Sequence, residues 1–168
     1  MSLDRKINII YRNYKEENID PVIKKIKELS RINNRNIFVS NNLKIALKYN
    51  LSGLYLPSFN TILKYKNINF KQGFKLIGSA HNYREIKIKE KQGCEEIFIS
   101  PIFNNPKNKY FLDIVKFNNL RLFSKVKVIA LGGINKENLK KLKCTKISGF
   151  AGITWIKKTG LIKLGRFK

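Results

Sequence analysis

"VIALGGINKENL" occupies Val128–Leu139. Apolar, strand-forming residues from Val128 to Leu131 run into Gly132-Gly133, and a polar segment with the character of a helix start follows. Paired glycines can be a plain turn that needs positive φ. They can also bring bare backbone N–H groups up to an anion, with the next helix adding its positive end. Further on, "GFAGITWI" at Gly149–Ile156 offers a second glycine-rich strand end. Where these two ends fall among the other elements decides the architecture.

Working outward, short apolar runs alternate with stretches of helical spacing. Strands are predicted at Ile7–Tyr11, Ile37–Val39, Leu54–Leu56, Phe74–Ile77, Ile97–Ile99, Val126–Leu131 and Ile147–Ala151. Helices are predicted from Asp20-Pro21 (with Val22, Ile23, Ile26 and Leu29 on one face), over Leu43–Tyr49 and Asn82–Gln92, within Tyr110–Leu122, and over Lys136–Leu142. Strands that are apolar on both faces and separated by helices indicate a buried parallel sheet of βα units. A doubly wound sheet places its phosphate loop near the first strand. A (β/α)8 barrel binds phosphate after strands seven and eight. Here the glycine-rich ends sit on the last two strands. The expected fold is therefore α/β, a TIM (β/α)8-type barrel shortened to about seven units. It is expected as one domain over residues 1–168, with a basic tail from about Lys157. An open barrel exposes two strand edges, which a second copy of the chain can cover.

The chain has 168 residues, 43% of them hydrophobic, enough for a sizeable core. No run approaches the roughly 18 apolar residues of a membrane helix, and MSLDRKINII lacks a secretory pattern, so the cytoplasm is the expected location. Cys94 and Cys144 are isolated from each other and from His81, the only histidine. That pattern suits reduced thiols better than a zinc site, which needs about four good ligands. The net charge of +24 favours anionic partners. The basic residues are spread from Arg5 to Lys168 without a nucleic-acid-binding signature. A solvated basic surface that attracts phosphorylated small molecules is preferred over nucleic acid.

In a barrel, the C-terminal strand ends face one site. These ends hold Arg12, Ser40-Asn41, Ser58 and Asn60, Ser79 and His81, Ser100, Gly132-Gly133, and Gly152-Ile153-Thr154. The set is polar and contains no carboxylate, because Glu85, Glu95 and Glu96 fall on helices or at strand beginnings. Paired-carboxylate catalysis and a carboxylate-held magnesium are both disfavoured on these residues. The two glycine-rich ends suit a phosphate. Arg12 suits a diphosphate. His81 is either a general acid/base, or a residue that caps the following helix or satisfies a buried group. Lys107 and Lys109, in NNPKNKYF, can close over an anion or stay solvated.

"IGSAHNYREI" (Ile77–Ile86), "EEIFISPIF" (Glu95–Phe103), VIALGGINKENL and "ISGFAGITWI" (Ile147–Ile156) follow the order and spacing of the thiamine phosphate synthase / thiazole tautomerase superfamily. "INIIYRNY" (Ile7–Tyr14) and the stretch Ile37–Pro57 resemble its earlier strands. The resemblance covers Ile7–Ile156. It implies a TIM barrel whose synthase branch joins hydroxymethylpyrimidine diphosphate to thiazole phosphate, giving thiamine phosphate and pyrophosphate. By the same resemblance, Gly133, Ile153 and Thr154 match a thiazole-phosphate cradle, Ser79 a diphosphate-contacting serine, and Arg12 the strand-motif arginine. The lysine two places after that arginine is Tyr14 here, with Lys15 beside it. Asn41 and Asn60 stand at the family's two magnesium aspartates, and Ser40 completes the first of those positions. Asn105, Lys107 and Lys109 match the loop that closes over substrate. Mg2+ is thus a family expectation that meets amides in place of acids. In the tautomerase branch a functional histidine stands where this chain has Ser100. Tautomerase or another phosphate-binding enzyme, and a non-catalytic basic binding protein, are the alternatives to the synthase.

Overall fold

The computed structural model describes residues 7–15, 18–31, 34–105 and 110–153. Seven parallel strands run β1 (Ile9–Tyr11), β2 (Ile37–Ser40), β3 (Gly53–Leu56), β4 (Lys75–Ala80), β5 (Glu96–Ile99), β6 (Lys127–Leu131) and β7 (Gly149–Ala151). Their spatial order is their chain order, β1 to β7, with every neighbouring pair parallel. A doubly wound sheet reverses direction at a switch point; this one never does. It is a curled, shortened TIM-type sheet. The edge strands β1 and β7 are three residues each, and short edges limit pairing with other chains.

Among the described residues, four helices lie between strands: α1 (Asp20–Arg31), α2 (Leu43–Lys48), α3 (Tyr83–Lys91) and α4 (Asp113–Arg121). Pro21 suits the first turn of α1, where an N–H would have no partner, and Ile23 and Ile26 carry its buried face. Asn42 and Asn82 cap α2 and α3 by accepting the backbone N–H groups of Ile45 and Glu85. Two units lack a full helix. Between β3 and β4 the connection holds only a three-ten turn, Leu63–Asn67. The helix expected over Lys136–Leu142 is a three-ten segment at Leu139–Cys144. Asn135 Oδ1 accepts the N–H groups of Glu137 and Asn138, and Asn138 Oδ1 accepts that of Asn135, a reciprocal cap at the start of the segment.

Alternation along the strands separates two apolar layers. Ile9, Ile37, Val39, Leu54, Leu56, Ile97, Ile99 and Val128 pack outward on Ile23, Ile26, Ile86 and Phe117. The residues between them, Phe38, Tyr55, Ile77, Phe98 and Ile129, fill the inner face, flanked by Ile10, Leu131 and Ala151. Tyr55 and Phe98 meet edge to face at 5.8 Å. The inner layer is small, so each aromatic in it matters. Phe98→Ala should cost about 3–5 kcal/mol by leaving a cavity the sheet cannot close. Urea unfolding checks this, and a cost under about 1 kcal/mol would mean the inner layer is not packed.

Candidate active site at the C-terminal ends of the strands

Because all seven strands are parallel and adjacent in chain order, their C-terminal ends share one rim. Arg12 follows β1, in step with the inward Ile10. Its guanidinium lies 5.4 Å from the centre of the Tyr14 ring. Tyr14 in turn shares a hydrogen bond of 2.7 Å with Ser40 Oγ and meets Phe59 edge to face at 5.7 Å. Ser40, predicted as a substrate contact, is therefore tied to Tyr14. Ser79 is buried on β4 and hydrogen-bonded to Tyr55. Burial pushes the Tyr55 phenol up, with Ser79 and the nearby Arg12 charge opposing.

His81 lies just past β4. Its Nδ1–H donates to the Ser100 carbonyl at 2.7 Å, and Ser100 Oγ is 3.3 Å from the same nitrogen. With Nδ1 so engaged, a neutral ring presents Nε2 as its proton acceptor. Helix capping falls to Asn82 instead. Glu85 bends back so that its carboxylate accepts His81 N–H at 2.7 Å and Asn82 Nδ2 at 2.9 Å. A carboxylate therefore does reach the rim, contrary to the carboxylate-free expectation. The Asn82-x-x-Glu85 spacing, a capping-box pattern, was its sequence signal.

The Gly132-Gly133 turn has positive φ at both residues, +93° and +71°. A Cβ on Gly133 would sit 2.3 Å from Phe103 O, and one on Gly132 would sit 2.7 Å from Pro101 Cβ. The turn is pinned to the segment after β5 by Ile102 N–H donating to Leu131 O and Phe103 N–H donating to Gly132 O. Asn138 Nδ2 donates to Gly133 O at 2.8 Å. Among the described residues, no protein group accepts the Gly133 or Ile134 N–H. The short three-ten segment does not supply the helix N-terminus expected there. Gly152 and the exposed Ile153 follow β7 on the adjacent strand. Asn105 is described and engaged. Thr154, Lys107, Lys109 and the basic tail lie outside the described residues.

Asn41 and Asn60, expected from the resemblance at magnesium positions, form a closed pair. Asn60 Nδ2 donates to Asn41 Oδ1 at 2.6 Å and to the Tyr65 hydroxyl at 3.2 Å. Asn60 Oδ1 accepts from Ile62 N–H at 3.0 Å and from Gln92 Nε2 at 3.1 Å. The Asn60 carbonyl accepts from Lys89 Nζ at 2.6 Å and from Gln92 Nε2 at 3.0 Å. Lys89 and Gln92 are fully buried and are bonded to each other at 3.0 Å. Sequence reasoning missed both. Their signal was the helical spacing from buried Ile86 to Lys89, which puts a lysine on the core face of α3. This donor set does not fit Mg2+, which wants anionic oxygens free to coordinate.

Burial pushes the Lys89 ammonium down to about 8 and the neighbouring Cys94 thiol up to about 12. Glu85 and Cys94 weakly favour the charged lysine. The unfolded chain holds the lysine proton more tightly, so stability rises with pH above about 8. Cys94 opposes this above its ordinary value of 9.0, because the unfolded thiol ionises first. Between pH 8 and 9 the lysine acts without that opposition. Lys89→Met should flatten the pH dependence of urea midpoints across that window; an unchanged slope would place the charge elsewhere.

A family profile described as thiamine monophosphate synthase matches residues 4–156. A thiamine-phosphate synthase of Prochlorococcus marinus is 29% identical over 168 residues, covering 93% of this chain and 46% of the relative. The chain thus spans about half the length of that relative. A putative thiamine-phosphate synthase 2 of Aquifex aeolicus is 28% identical over 155 residues, covering 89% of this chain and 81% of the relative. The solved thiamine phosphate pyrophosphorylase of Pyrococcus furiosus superposes with a TM-score of 0.71 at 21% identity, covering 89% of this chain and 72% of that one. At that identity the superposition speaks for the fold.

Proposed function

The chain belongs to the thiamine monophosphate synthase family, and from that premise we propose that it joins hydroxymethylpyrimidine diphosphate to thiazole phosphate. In this reaction the bond between the pyrimidine methylene and the diphosphate oxygen breaks, its electrons leaving with pyrophosphate. The thiazole nitrogen lone pair then forms the new C–N bond. No net proton transfer is needed. The demand on the protein is to position two anions and stabilise the leaving group.

The observation that supports this most is the family match over residues 4–156 on a sheet whose strand order puts all the matched ends on one rim. Arg12 and Ser79 are assigned to the diphosphate, Arg12 as a planar fork of donors. The Gly132-Gly133 turn, Gly152, Ile153 and Thr154 are assigned to the thiazole phosphate. His81 is assigned a contact at the reacting end through Nε2, with Ser100 holding its tautomer. Ser40, Asn41, Asn60, Asn105, Lys107 and Lys109 are assigned to the pyrimidine diphosphate. The net charge of +24 adds long-range attraction for both phosphorylated substrates. Such substrates do not cross membranes freely, which fits cytoplasmic work, and among the described residues no helix is long and apolar enough to span one.

Calorimetric titration with each heterocycle separately tests the assignment. Both are expected to bind, each at one site per chain. Binding of the thiazole phosphate alone would favour a tautomerase-type role and contradict the synthase.

A further inference from the structure

The corner between β2 and β3 is where the family resemblance puts a divalent cation. Here both amide oxygens are already taken: Asn41 Oδ1 by Asn60 Nδ2, and Asn60 Oδ1 by Ile62 N–H and Gln92 Nε2. Hard cations bind several oxygens, mostly charged. Among the described residues no group of three or more His, Cys, Asp or Glu converges to supply them.

A cation of another kind is built in. Lys89 leaves α3, and its stem crosses β4 at Gly78, where a Cβ would lie 2.7 Å from Lys89 Cδ and 3.0 Å from Cys94 Sγ. The missing side chain at Gly78 is what lets the lysine through. Its Nζ emerges under the loop after β3, held by the Asn60 carbonyl and Gln92 Oε1. A buried ammonium costs several kcal/mol of desolvation. Two acceptors and a cleared path are an arrangement that keeps it in place. A second, doubly charged cation brought to the same low-dielectric corner meets direct repulsion.

We infer that Lys89 is the resident cation of this corner, a positioning residue that locks Asn60 and through it Asn41, so that the diphosphate end of the site works without a protein-held divalent metal. The inference takes the diphosphate end from the proposed function. The probe of the corner itself is a metal ion alone, so the two can fail separately.

The experiment is electron paramagnetic resonance of Mn2+ titrated into the full chain without substrate. The free Mn2+ sextet should keep its buffer amplitude at millimolar protein. A saturable loss of signal, abolished by Asn41→Ala/Asn60→Ala, would overturn the inference. The second arm restores acids with Asn41→Asp/Asn60→Asp, with and without Lys89→Ala, circular dichroism reporting folding. Removing Lys89 should tighten Mn2+ binding by about 10-fold or more, by removing a like charge from the corner; equal affinity in both backgrounds would overturn the role of Lys89. Where Lys89→Ala does not fold, Lys89→Gln keeps a donor for the Asn60 carbonyl without the charge and serves the same comparison. Inorganic pyrophosphate is the third probe. Binding should persist in EDTA, and any effect of Mg2+ should be unchanged by Asn41→Ala/Asn60→Ala; a gain with Mg2+ that this double substitution abolishes overturns the inference. Absence of pyrophosphate binding under both conditions contradicts the diphosphate assignment instead, and the Mn2+ result does not depend on it.

Discussion

Gly133→Ala should destabilise the chain by about 2–5 kcal/mol and abolish thiazole phosphate binding. Two costs add. At φ +71° an L side chain is strained by roughly 1–2 kcal/mol. The new methyl would also sit 2.3 Å from Phe103 O and 2.6 Å from Asn104 O, both backbone atoms fixed by the segment after β5. That segment must move, and the turn amides move with it. Gly73→Ala is the control, since Gly73 has φ +82° and nothing within 4 Å of its built Cβ. It should cost only the strain. Urea unfolding of the two variants separates the terms. If Gly133→Ala is no worse than Gly73→Ala, the contact between the turn and the Phe103–Asn104 backbone is wrong. Loss of phosphate binding in a Gly133 variant is thus not enough to prove a cradle, because the glycine is also required by packing.

Arg12→Ala should lower kcat/KM by about 10²–10³ if the guanidinium stabilises the departing diphosphate. Stability should stay within about 0.5 kcal/mol of the parent, since Arg12 is exposed and contacts chiefly the face of an exposed tyrosine. Arg12→Lys should recover only part of the loss, because an ammonium keeps the charge but not the planar fork. A pattern in which Lys restores full activity would mean only charge is needed there. Parent-like kinetics in Arg12→Ala would remove Arg12 from the site.

The strands were legible because apolar runs buried on both faces need no partner information to be recognised. Their order was legible through the glycine-rich ends of the last two strands. Val128–Leu139 itself was half legible. The strand and turn are where the pattern puts them, and Asn135 and Asn138 form the expected cap, but the segment they open is three-ten and starts at Leu139. The rim was legible as a list of strand ends and illegible as a network. His81 and Ser100 are far apart in sequence and meet only through the pairing of β4 with β5. Lys89 was hidden by composition. Among 35 Lys and Arg residues, a lysine at core spacing looks like one more solvated charge. Its burial depends on Gly78 on the strand below, a relation no periodicity carries.

The central claim is that this rim makes the bond between the two phosphorylated heterocycles. The direct measurement is incubation of the purified chain with hydroxymethylpyrimidine diphosphate and thiazole phosphate, in Mg2+ and separately in EDTA, with thiamine phosphate and pyrophosphate quantified by chromatography. The predicted result is equimolar formation of both products in each condition, slowed about 10²–10³-fold in Arg12→Ala. Tight binding of both heterocycles with neither product formed in either condition would contradict it.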